Sequence, residues 1–256
     1  MPDPTQRFSN RVENYVKYRP GYPPAILDLL TAKCGLTATA VTADVGSGTG
    51  ILTALLLNGG GRVFGVEPNP EMRAAGERLL AGRPNAANFT SIAGTAEATT
   101  LPDHSVDLIT AGQAFHWFDR VKARAEFLRI LKPGGRVVLL WNDRNITDRP
   151  FFRAYEQLLI TYGTDYTAVN HKNVDQAIIG AFFGPDGYGQ AAYPNDQTFD
   201  FAGLKGRLLS SSYAPEAGDP RHEPMLAALQ TLFAAHQTNG TVTFDYDTTV
   251  FYGRLS

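Results

Sequence analysis

The chain has 256 residues, of which 43% are hydrophobic and 19% charged, and its net charge is −2. This length suits one domain with an elaboration or two small domains, and the composition is ordinary for a globular protein. The charge gives no sign of nucleic-acid binding, the single cysteine, Cys34, excludes an internal disulfide, and no apolar run approaches the roughly 20 residues that span a bilayer. Residues 1–6 lack the features of a signal peptide, so we expect a cytoplasmic protein.

The N-terminal segment predicts two short helices. The first presents one face at helical spacing, formed by Phe8, Val12, Tyr15 and Arg19. A proline-rich run at 20–24 ends it and starts a second helix over about 25–33.

A glycine-rich loop follows the first predicted strand. Residues 41–45 are rich in β-branched side chains, residues 51–56 carry a helical apolar pattern, and between them lie Gly46, Gly48 and Gly50. This order predicts a strand, a tight turn and a helix, the opening of a βα unit. Glycines in such a turn let a ligand approach the backbone closely.

Two acids indicate which ligand the loop would accept. The dinucleotide fingerprint places its third glycine where this chain has Ile51, and a carboxylate at Asp44 would repel a pyrophosphate. Asp44 suits an ammonium group instead. Glu67 closes the next predicted strand, 62–67, about twenty residues beyond the loop, where an acid accepts hydrogen bonds from ribose hydroxyls. Ribose and ammonium without phosphate indicate S-adenosylmethionine.

The next segments alternate between predicted strands and helices. We predict strands at 88–92, 105–112 and 136–142, the last nearly continuously apolar as expected for burial on both faces. A helix begins near 68–72. Another covers 120–131, with an apolar face formed by Val121, Ala125, Phe127, Leu128 and Leu131.

The carboxyl ends of the fourth and fifth strands carry the candidates for a reacting site, because ligands of open α/β sheets lie there. The candidate acceptor-binding side chains are Phe115, His116, Trp117, Asn142 and Arg144. His116 could act as a general base, or it could be a spacer or simply line the pocket. Trp117 could form the pocket floor or pack beneath the next helix. No Ser-His-Asp order, His-x-x-x-His pair or cysteine pair appears, so the sequence gives little support for a hydrolase or a zinc enzyme, and no metal site is predicted.

The last part of the chain has a weaker pattern. We predict a helix over 150–162, a sixth strand at 197–201, a short helix at 204–209, a helix over 220–237 and a last strand at 241–253, antiparallel at the sheet edge. We expect one domain, in which residues 1–36 form an N-terminal helical lid and residues 40–145 the cofactor-binding core. Residues 146–195 would form an insertion over the pocket, and residues 196–256 the C-terminal part of the sheet.

At three motifs the sequence resembles the class I S-adenosylmethionine-dependent methyltransferases, in particular the small-molecule branch called methyltransferase type 11. The motifs lie at 44–50, 65–67 and 131–135, and the likeness covers about residues 40–142. It implies a Rossmann-like α/β fold with a seven-stranded, mainly parallel sheet, an antiparallel last strand and helices on both faces. It also implies S-adenosylmethionine as the cofactor.

The resemblance implies a set of cofactor-binding residues, namely Tyr15, Arg19, Asp44, Gly46, Ser47, Gly48, Gly50, Glu67, Pro68, Met72, Thr95, Ala96, Glu97 and Gln113. Tyr15 and Arg19 would be lid residues, the alternative being helix packing and a surface charge. Met72 would pack on the adenine or in the core.

The family often has an acid where this chain has Thr95. The adenine contact would therefore fall to the Thr95 hydroxyl and the Ala96 backbone, unless Thr95 and Glu97 only cap a short helix. Tyr213 ends a serine-rich loop that, by the same likeness, binds the acceptor, the alternative being a plain capping loop.

The expected reaction is displacement of the sulfonium methyl group by an oxygen, nitrogen or carbon atom of a small molecule. Positioning would supply most of the rate, up to roughly 7–11 kcal/mol. Arg19, Arg144 and His116 near one mouth would suit a small acid, and the overall pattern resembles trans-aconitate methyltransferases. The protein would be a monomer or homodimer that binds neither nucleic acid nor membrane. An NAD(P)-dependent oxidoreductase and a non-catalytic S-adenosylmethionine-binding module are the alternatives.

Overall fold

The computed structural model describes residues 9–144, 149–167 and 174–256. Its strands are β1 (Val41–Val45), β2 (Arg62–Val66), β3 (Phe89–Ile92), β4 (Val106–Gly112), β5 (Leu131–Arg144), β6 (Gly189–Pro194), β7 (Gln197–Phe199), β8 (Val242–Phe244) and β9 (Tyr246–Gly253). Its helices are α1 (Val12–Tyr18), α2 (Ala25–Cys34), α3 (Ile51–Leu57), α4 (Pro70–Leu80), α5 (Arg120–Ile130), α6 (Pro150–Tyr162), α7 (Gln176–Phe183), α8 (Phe201–Leu209) and α9 (His222–His236).

The main sheet has seven strands in the order β3-β2-β1-β4-β5-β9-β6. Strands β1 to β5 pair in parallel, whereas β9 runs antiparallel to both of its neighbours. The predicted fold class is therefore confirmed. The predicted edge position of the last strand is wrong, because β6 pairs along the outer side of β9 from Gly189 to Pro194.

Helices cover both faces of this sheet. Along β5, Val137 and Leu139 pack into the core under α5 and α7, whereas Val138 and Leu140 pack into the core under α2, α3 and α4. This alternation follows from the pleat of a strand that is buried on both sides. Strands β1 and β4 are parallel neighbours, so the loops that follow them lie at the same edge of the sheet. The strand order reverses between these two strands.

A second unit, which we call the cap, consists of α6, α8, α9, β7 and β8. Strands β7 and β8 form a separate two-stranded sheet, and the buried residues of the cap share a core of their own around Phe244. The cap corrects two predicted boundaries. Residues 197–201 are not a strand of the main sheet, and of residues 196–256 only β9 belongs to that sheet.

The predicted insertion at 146–195 is also partly wrong. Its described residues include α7, whose Ile179, Phe182 and Phe183 are buried against the main sheet, and β6, which forms the sheet edge. Only α6 and the residues just after it belong to the cap side. The weak periodicity of 163–195 concealed these elements because α7 is short and β6 is an edge strand.

Helix α5 is present, but its buried face differs from the predicted one. Val121 is 81% exposed and Leu128 is 42% exposed, while Ala123, Glu126, Phe127 and Ile130 are buried. Glu126 can lie inward because it accepts hydrogen bonds from the Thr99 hydroxyl at 2.6 Å and from Arg129. A satisfied buried carboxylate thus shifted the helix face from the one that hydrophobicity alone predicts.

Candidate functional site

Two cavities lie side by side at the carboxyl ends of the strands. We call one the glutamate cavity, because Glu67 lines it together with Pro68, Met72 and residues 95–97. We call the other the arginine cavity, because Arg19, Arg144 and Arg207 line it. The two cavities adjoin, because they share the lining residues Tyr15, Gly46, Gly48, Gly112, Gln113 and Trp117. Together with the open space at its mouth, the glutamate cavity measures about 1000 Å³ and the arginine cavity about 1130 Å³.

Asp44 is buried at the end of β1, in the wall of the arginine cavity. Its carboxylate accepts hydrogen bonds from the Thr53 hydroxyl at 2.6 Å and from the Thr110 hydroxyl at 2.9 Å. Burial raises the pKa of Asp44 to about 6, although both hydrogen bonds lower it. No cation among the described residues pairs with this carboxylate, so an ammonium group in the cavity would supply the missing counter-charge.

Glu67 follows β2 and lines the glutamate cavity. One carboxylate oxygen accepts the Gly48 amide and the other accepts the Asn69 amide, each at 2.9 Å. Burial raises the pKa of Glu67 against the effect of these two bonds. The bond to Gly48 fixes the carboxylate against the glycine loop, and each oxygen keeps a further lone pair that could accept a hydroxyl.

The loop at 95–97 lies opposite Glu67. The Thr95 hydroxyl accepts the backbone amides of Glu97 and Ala98, both at 3.2 Å, so it holds a tight turn rather than capping a helix. The alternative of a capped helix at this point is therefore wrong. Glu97 accepts the Asp119 amide at 2.9 Å, which ties the loop to the start of α5. Thr95, Ala96 and Glu97 all line the glutamate cavity, as does the buried side chain of Met72.

Gly46 and Gly48 line both cavities and Ser47 lines the arginine cavity, but Gly50 lines neither. Gly50 has a positive φ of 79° at the start of α3, where an added Cβ would lie 2.9 Å from the Leu80 side chain. Its predicted place among the cofactor-binding residues is therefore not supported. The packing of α3 on α4 explains this glycine.

The loop after β4 sends its side chains in two directions. His116 lines the arginine cavity and Trp117 lines both cavities. Phe115 is fully buried and packs against Trp141 and Phe182, so its predicted acceptor-binding role is wrong. One turn of 3-10 helix over Phe115–Trp117 separates the inward ring from its two outward neighbours.

Asn142 and Gln113 line the cavities but already use their amide groups within the protein. The Asn142 amide donates to the Gly21 carbonyl at 3.1 Å, and its oxygen accepts the Thr248 hydroxyl at 2.5 Å. Gln113 donates to the Asn142 carbonyl at 3.2 Å. These bonds join the N-terminal segment to β5 and β9 and so close one side of the arginine cavity.

Helix α1 forms the roof of both cavities through Tyr15, and it is fastened to the cap. Arg11 donates to the carbonyls of Leu209 at 3.1 Å and Ala214 at 2.7 Å. The Tyr18 ring lies against α8 at Gly206, where an added Cβ would come within 2.0 Å of the ring. Arg19 donates to Ser210 and stacks 4.9 Å from the centre of the Tyr15 ring. Phe8, which we predicted on the same helix face, lies outside the described residues.

Several lining residues were missed by the sequence reasoning, namely Tyr22, Tyr166, Arg207 and Tyr246. Arg207 carried a signal, because it falls on the same face of α8 as Leu204 and Leu208, which are buried. An arginine on an apolar helix face needs a partner or a ligand. Tyr166 and Tyr246 carried none, since nothing in the local pattern places them at a cavity.

Comparisons with known proteins agree with this geometry. A family model described as a methyltransferase domain matches residues 43–139. An uncharacterized methyltransferase of Mycobacterium tuberculosis is 39% identical over 143 residues, which are 56% of this chain and 55% of the relative. An uncharacterized methyltransferase-like protein of Schizosaccharomyces pombe is 34% identical over 159 residues, 62% of this chain and 59% of the relative. The chain therefore spans little more than half the length of these relatives.

Solved structures share the fold across nearly the whole chain. A protein of Anaeromyxobacter dehalogenans proposed to be a type II methyltransferase superposes with a TM-score of 0.66 at 20% identity, covering 93% of this chain and 98% of that one. The YcgJ protein of Bacillus subtilis gives a TM-score of 0.56 at 22% identity, with 90% and 98% covered.

The main sheet, with its antiparallel β9, has the Rossmann-like fold of these solved structures, and the acid-bearing glycine loop lies within the residues that match the methyltransferase domain model. No helix in the described part of the chain is long and apolar enough to cross a membrane. The same residues contain no group of three or more potential metal ligands.

Proposed function

We propose that this protein transfers the methyl group of S-adenosylmethionine to a small molecule bound in the arginine cavity. The observation that carries the proposal is that the two cavities adjoin at the glycine loop, and that each is lined by a buried carboxylate, Asp44 in one and Glu67 in the other. Asp44 offers a counter-charge for an ammonium group, and Glu67 offers acceptors for ribose hydroxyls. The adenine would lie between Met72 and the loop at 95–97.

The bound cofactor supplies a methyl group on a positively charged sulfur, which leaves as a neutral thioether and needs no acid. The protein then has to orient an acceptor and exclude water. Helix α1 and the cap are joined by hydrogen bonds from Arg11 and Arg19, and both contribute lining residues to the arginine cavity. Tyr15 lines both cavities, where its ring could contact a positively charged sulfur.

Two measurements test the proposal against the alternatives. Isothermal titration with S-adenosylmethionine, S-adenosylhomocysteine and NAD should give binding only for the first two, since Asp44 opposes a pyrophosphate. Incubation with methyl-labelled cofactor and an extract of small metabolites should then transfer label to a small product detected by mass spectrometry. Tighter binding of NAD would support an oxidoreductase instead. Cofactor binding without transfer to any small molecule would support a non-catalytic module.

A further inference from the structure

Three arginines from distant parts of the chain line the arginine cavity. Arg19 follows α1, Arg144 ends β5 and Arg207 lies in α8. The Arg207 side chain is almost completely buried, and only 13% of the Arg144 side chain is exposed. Placing like charges together in a protein interior is costly unless something of opposite charge balances them.

The protein orients these guanidinium groups largely with neutral partners. Arg19 donates from Nε to the Ser210 hydroxyl and from Nη2 to the Ser210 carbonyl, both at 3.0 Å. Arg207 donates from Nε to the Tyr246 hydroxyl at 3.1 Å and from Nη1 to the Ser211 hydroxyl at 3.2 Å. Within the described ranges, this leaves Nη1 of Arg19 and Nη2 of Arg207 without a protein acceptor.

One acid balances part of this charge. Arg144 donates from Nη2 to Glu156 at 3.3 Å and to the Tyr166 hydroxyl at 2.9 Å, and Tyr166 in turn donates to Glu156 at 2.6 Å. Glu156 therefore holds both Arg144 and Tyr166 in place. Nε and Nη1 of Arg144 have no acceptor among the described residues. The lining of the cavity also includes the Asp44 carboxylate, so three cations accompany two carboxylates and the net charge beside the cavity is positive.

The charges of all three arginines act on Tyr213, which also lines the cavity. Burial by itself would raise the pKa of Tyr213, but Arg144, Arg207 and Arg19 together lower it below its usual value. Burial, and next the neighbouring Arg207, lowers the pKa of Arg19 as well. The like charges are thus close enough to oppose one another, which favours a ligand that separates and neutralises them.

We propose that the methyl acceptor is a small organic acid whose carboxylate is bound by Arg19, Arg144 and Arg207. This inference rests on the proposed function, because it concerns the molecule that the same cavity would methylate. Guanidinium groups bind anionic oxygen atoms with strong charge-assisted hydrogen bonds. A carboxylate has two such oxygens, which suits the small number of unpaired donors on three arginines that line one cavity. Phosphate shares this chemistry, so the experiment must separate the two anions.

The first experiment measures ligand binding to the protein saturated with S-adenosylhomocysteine. The probes are succinate, benzoate and inorganic phosphate, with succinamide and benzamide as uncharged matches. We expect at least one acid to bind at least tenfold more tightly than its amide, with an affinity that falls as salt is added. Equal binding of acids and amides would overturn the inference, and phosphate binding more tightly than both acids would overturn the assignment to a carboxylate.

The second experiment changes the arginines. We expect Arg207→Gln and Arg144→Gln each to lower the affinity for the acid by tenfold or more. Arg144→Lys keeps the charge and should lower this affinity less than Arg144→Gln does. Arg221→Gln is the matched control, because Arg221 pairs with Asp219 on the surface. Unchanged acid binding in both glutamine variants would refute the proposal.

S-adenosylhomocysteine affinity, measured in every variant, distinguishes a failure of the proposed function from a failure of the inference about the acceptor. If each variant binds S-adenosylhomocysteine like the unmodified protein, a loss of acid binding reports on the arginines and not on folding. If the unmodified protein does not bind S-adenosylhomocysteine at all, the proposed function fails. If it binds S-adenosylhomocysteine but prefers no acid, only the inference about the acceptor fails.

Discussion

The two cavities are built in different ways. The glutamate cavity is lined by loops that follow β1, β2, β3 and β4, and except for Tyr15 its lining comes from residues 46–118. The arginine cavity combines the same glycine loop with α1, the end of β5, α8 and the start of β9. The first cavity lies within the region matched by the methyltransferase family model, whereas much of the second lies outside it. The proposed cofactor site and the proposed acceptor site thus come largely from different parts of the chain.

The cap should control the arginine cavity more than the glutamate cavity. Phe244 is fully buried in the cap core, with ring contacts to Phe151, Phe152, Tyr155, Phe199 and Tyr246. We expect Phe244→Ala to lower the free energy of unfolding by about 3–5 kcal/mol, because it leaves a cavity in this core. Binding of the acid should weaken at least tenfold, while the affinity for S-adenosylhomocysteine should change by less than threefold. Urea unfolding and titration at a temperature where the variant is folded measure both.

A matched substitution in the sheet core should give the reverse pattern. Phe127 is fully buried and contacts Phe118, which lines the glutamate cavity. Phe127→Ala should lower the free energy of unfolding by a similar amount, but it should lower the affinity for S-adenosylhomocysteine more than the affinity for the acid. If both variants weaken both ligands equally, the two cavities are not energetically distinct.

In the proposed cofactor site, the buried Asp44 would supply the counter-charge for the ammonium group of the ligand. We expect Asp44→Asn to weaken S-adenosylhomocysteine by about 100-fold, because a buried charge pair contributes about 2–5 kcal/mol when one partner is removed. Asparagine keeps the shape of the side chain and can still accept from Thr110 or Thr53. Asp107→Asn is the control, since Asp107 pairs with Lys132 away from both cavities. A loss of less than threefold in Asp44→Asn would remove Asp44 from the cofactor site.

The pH dependence of cofactor binding should follow the same carboxylate. The pKa of Asp44 is raised from 3.8 to about 6, so its charge is lost as the pH falls through 6. We expect S-adenosylhomocysteine to bind about tenfold more weakly at pH 5 than at pH 7.5, and Asp44→Asn to lack this difference. Titration calorimetry at the two pH values measures it.

In the ligand-free protein, the contribution of Asp44 to the free energy of unfolding should change with pH in the opposite direction, falling as the pH rises. The folded state holds the Asp44 proton more tightly than the unfolded chain does, so Asp44 lowers stability as the pH rises from about 4 to 6. The contribution is at most about 3 kcal/mol. Subtracting the pH dependence of Asp44→Asn isolates it from that of the other acids. A contribution that increases stability with pH would contradict a raised pKa.

How well each cavity could be predicted from the sequence depends on how far apart its lining residues lie along the chain. Asp44, the glycine loop and Glu67 lie within two consecutive βα units, so their spacing in sequence reflects their spacing in space. The first five strands could be predicted for the same reason. Arg207 could not be placed beside Arg19, because they meet only once α1 has docked on α8 at Gly206.

The errors in the fold also come from contacts that are distant in sequence. Residues 241–253 alternate as one strand, but β8 pairs with β7 in the cap whereas β9 pairs with β5 and β6. The alternation of polar and apolar residues in a segment does not show which strand it will pair with. Phe115 and His116 are adjacent in sequence, yet only the fold decides which of them faces the core.

The smallest expected effect concerns His116, which we predicted as a possible general base. If the carboxylate bound by the arginines is itself the methyl acceptor, its oxygen is already deprotonated at neutral pH and its attack on the methyl group needs no base. We therefore expect His116→Gln to lower kcat/KM by less than tenfold and to leave the pH profile of the rate unchanged. His104→Gln is the control, because the His104 ring bonds to the Leu131 carbonyl away from both cavities. A fall of about 100-fold in kcat with an altered pH profile would instead show proton transfer through His116, because that is the usual size of general base catalysis. The accepting atom would then be a hydroxyl or amine, and the carboxylate held by the arginines would serve only to position it.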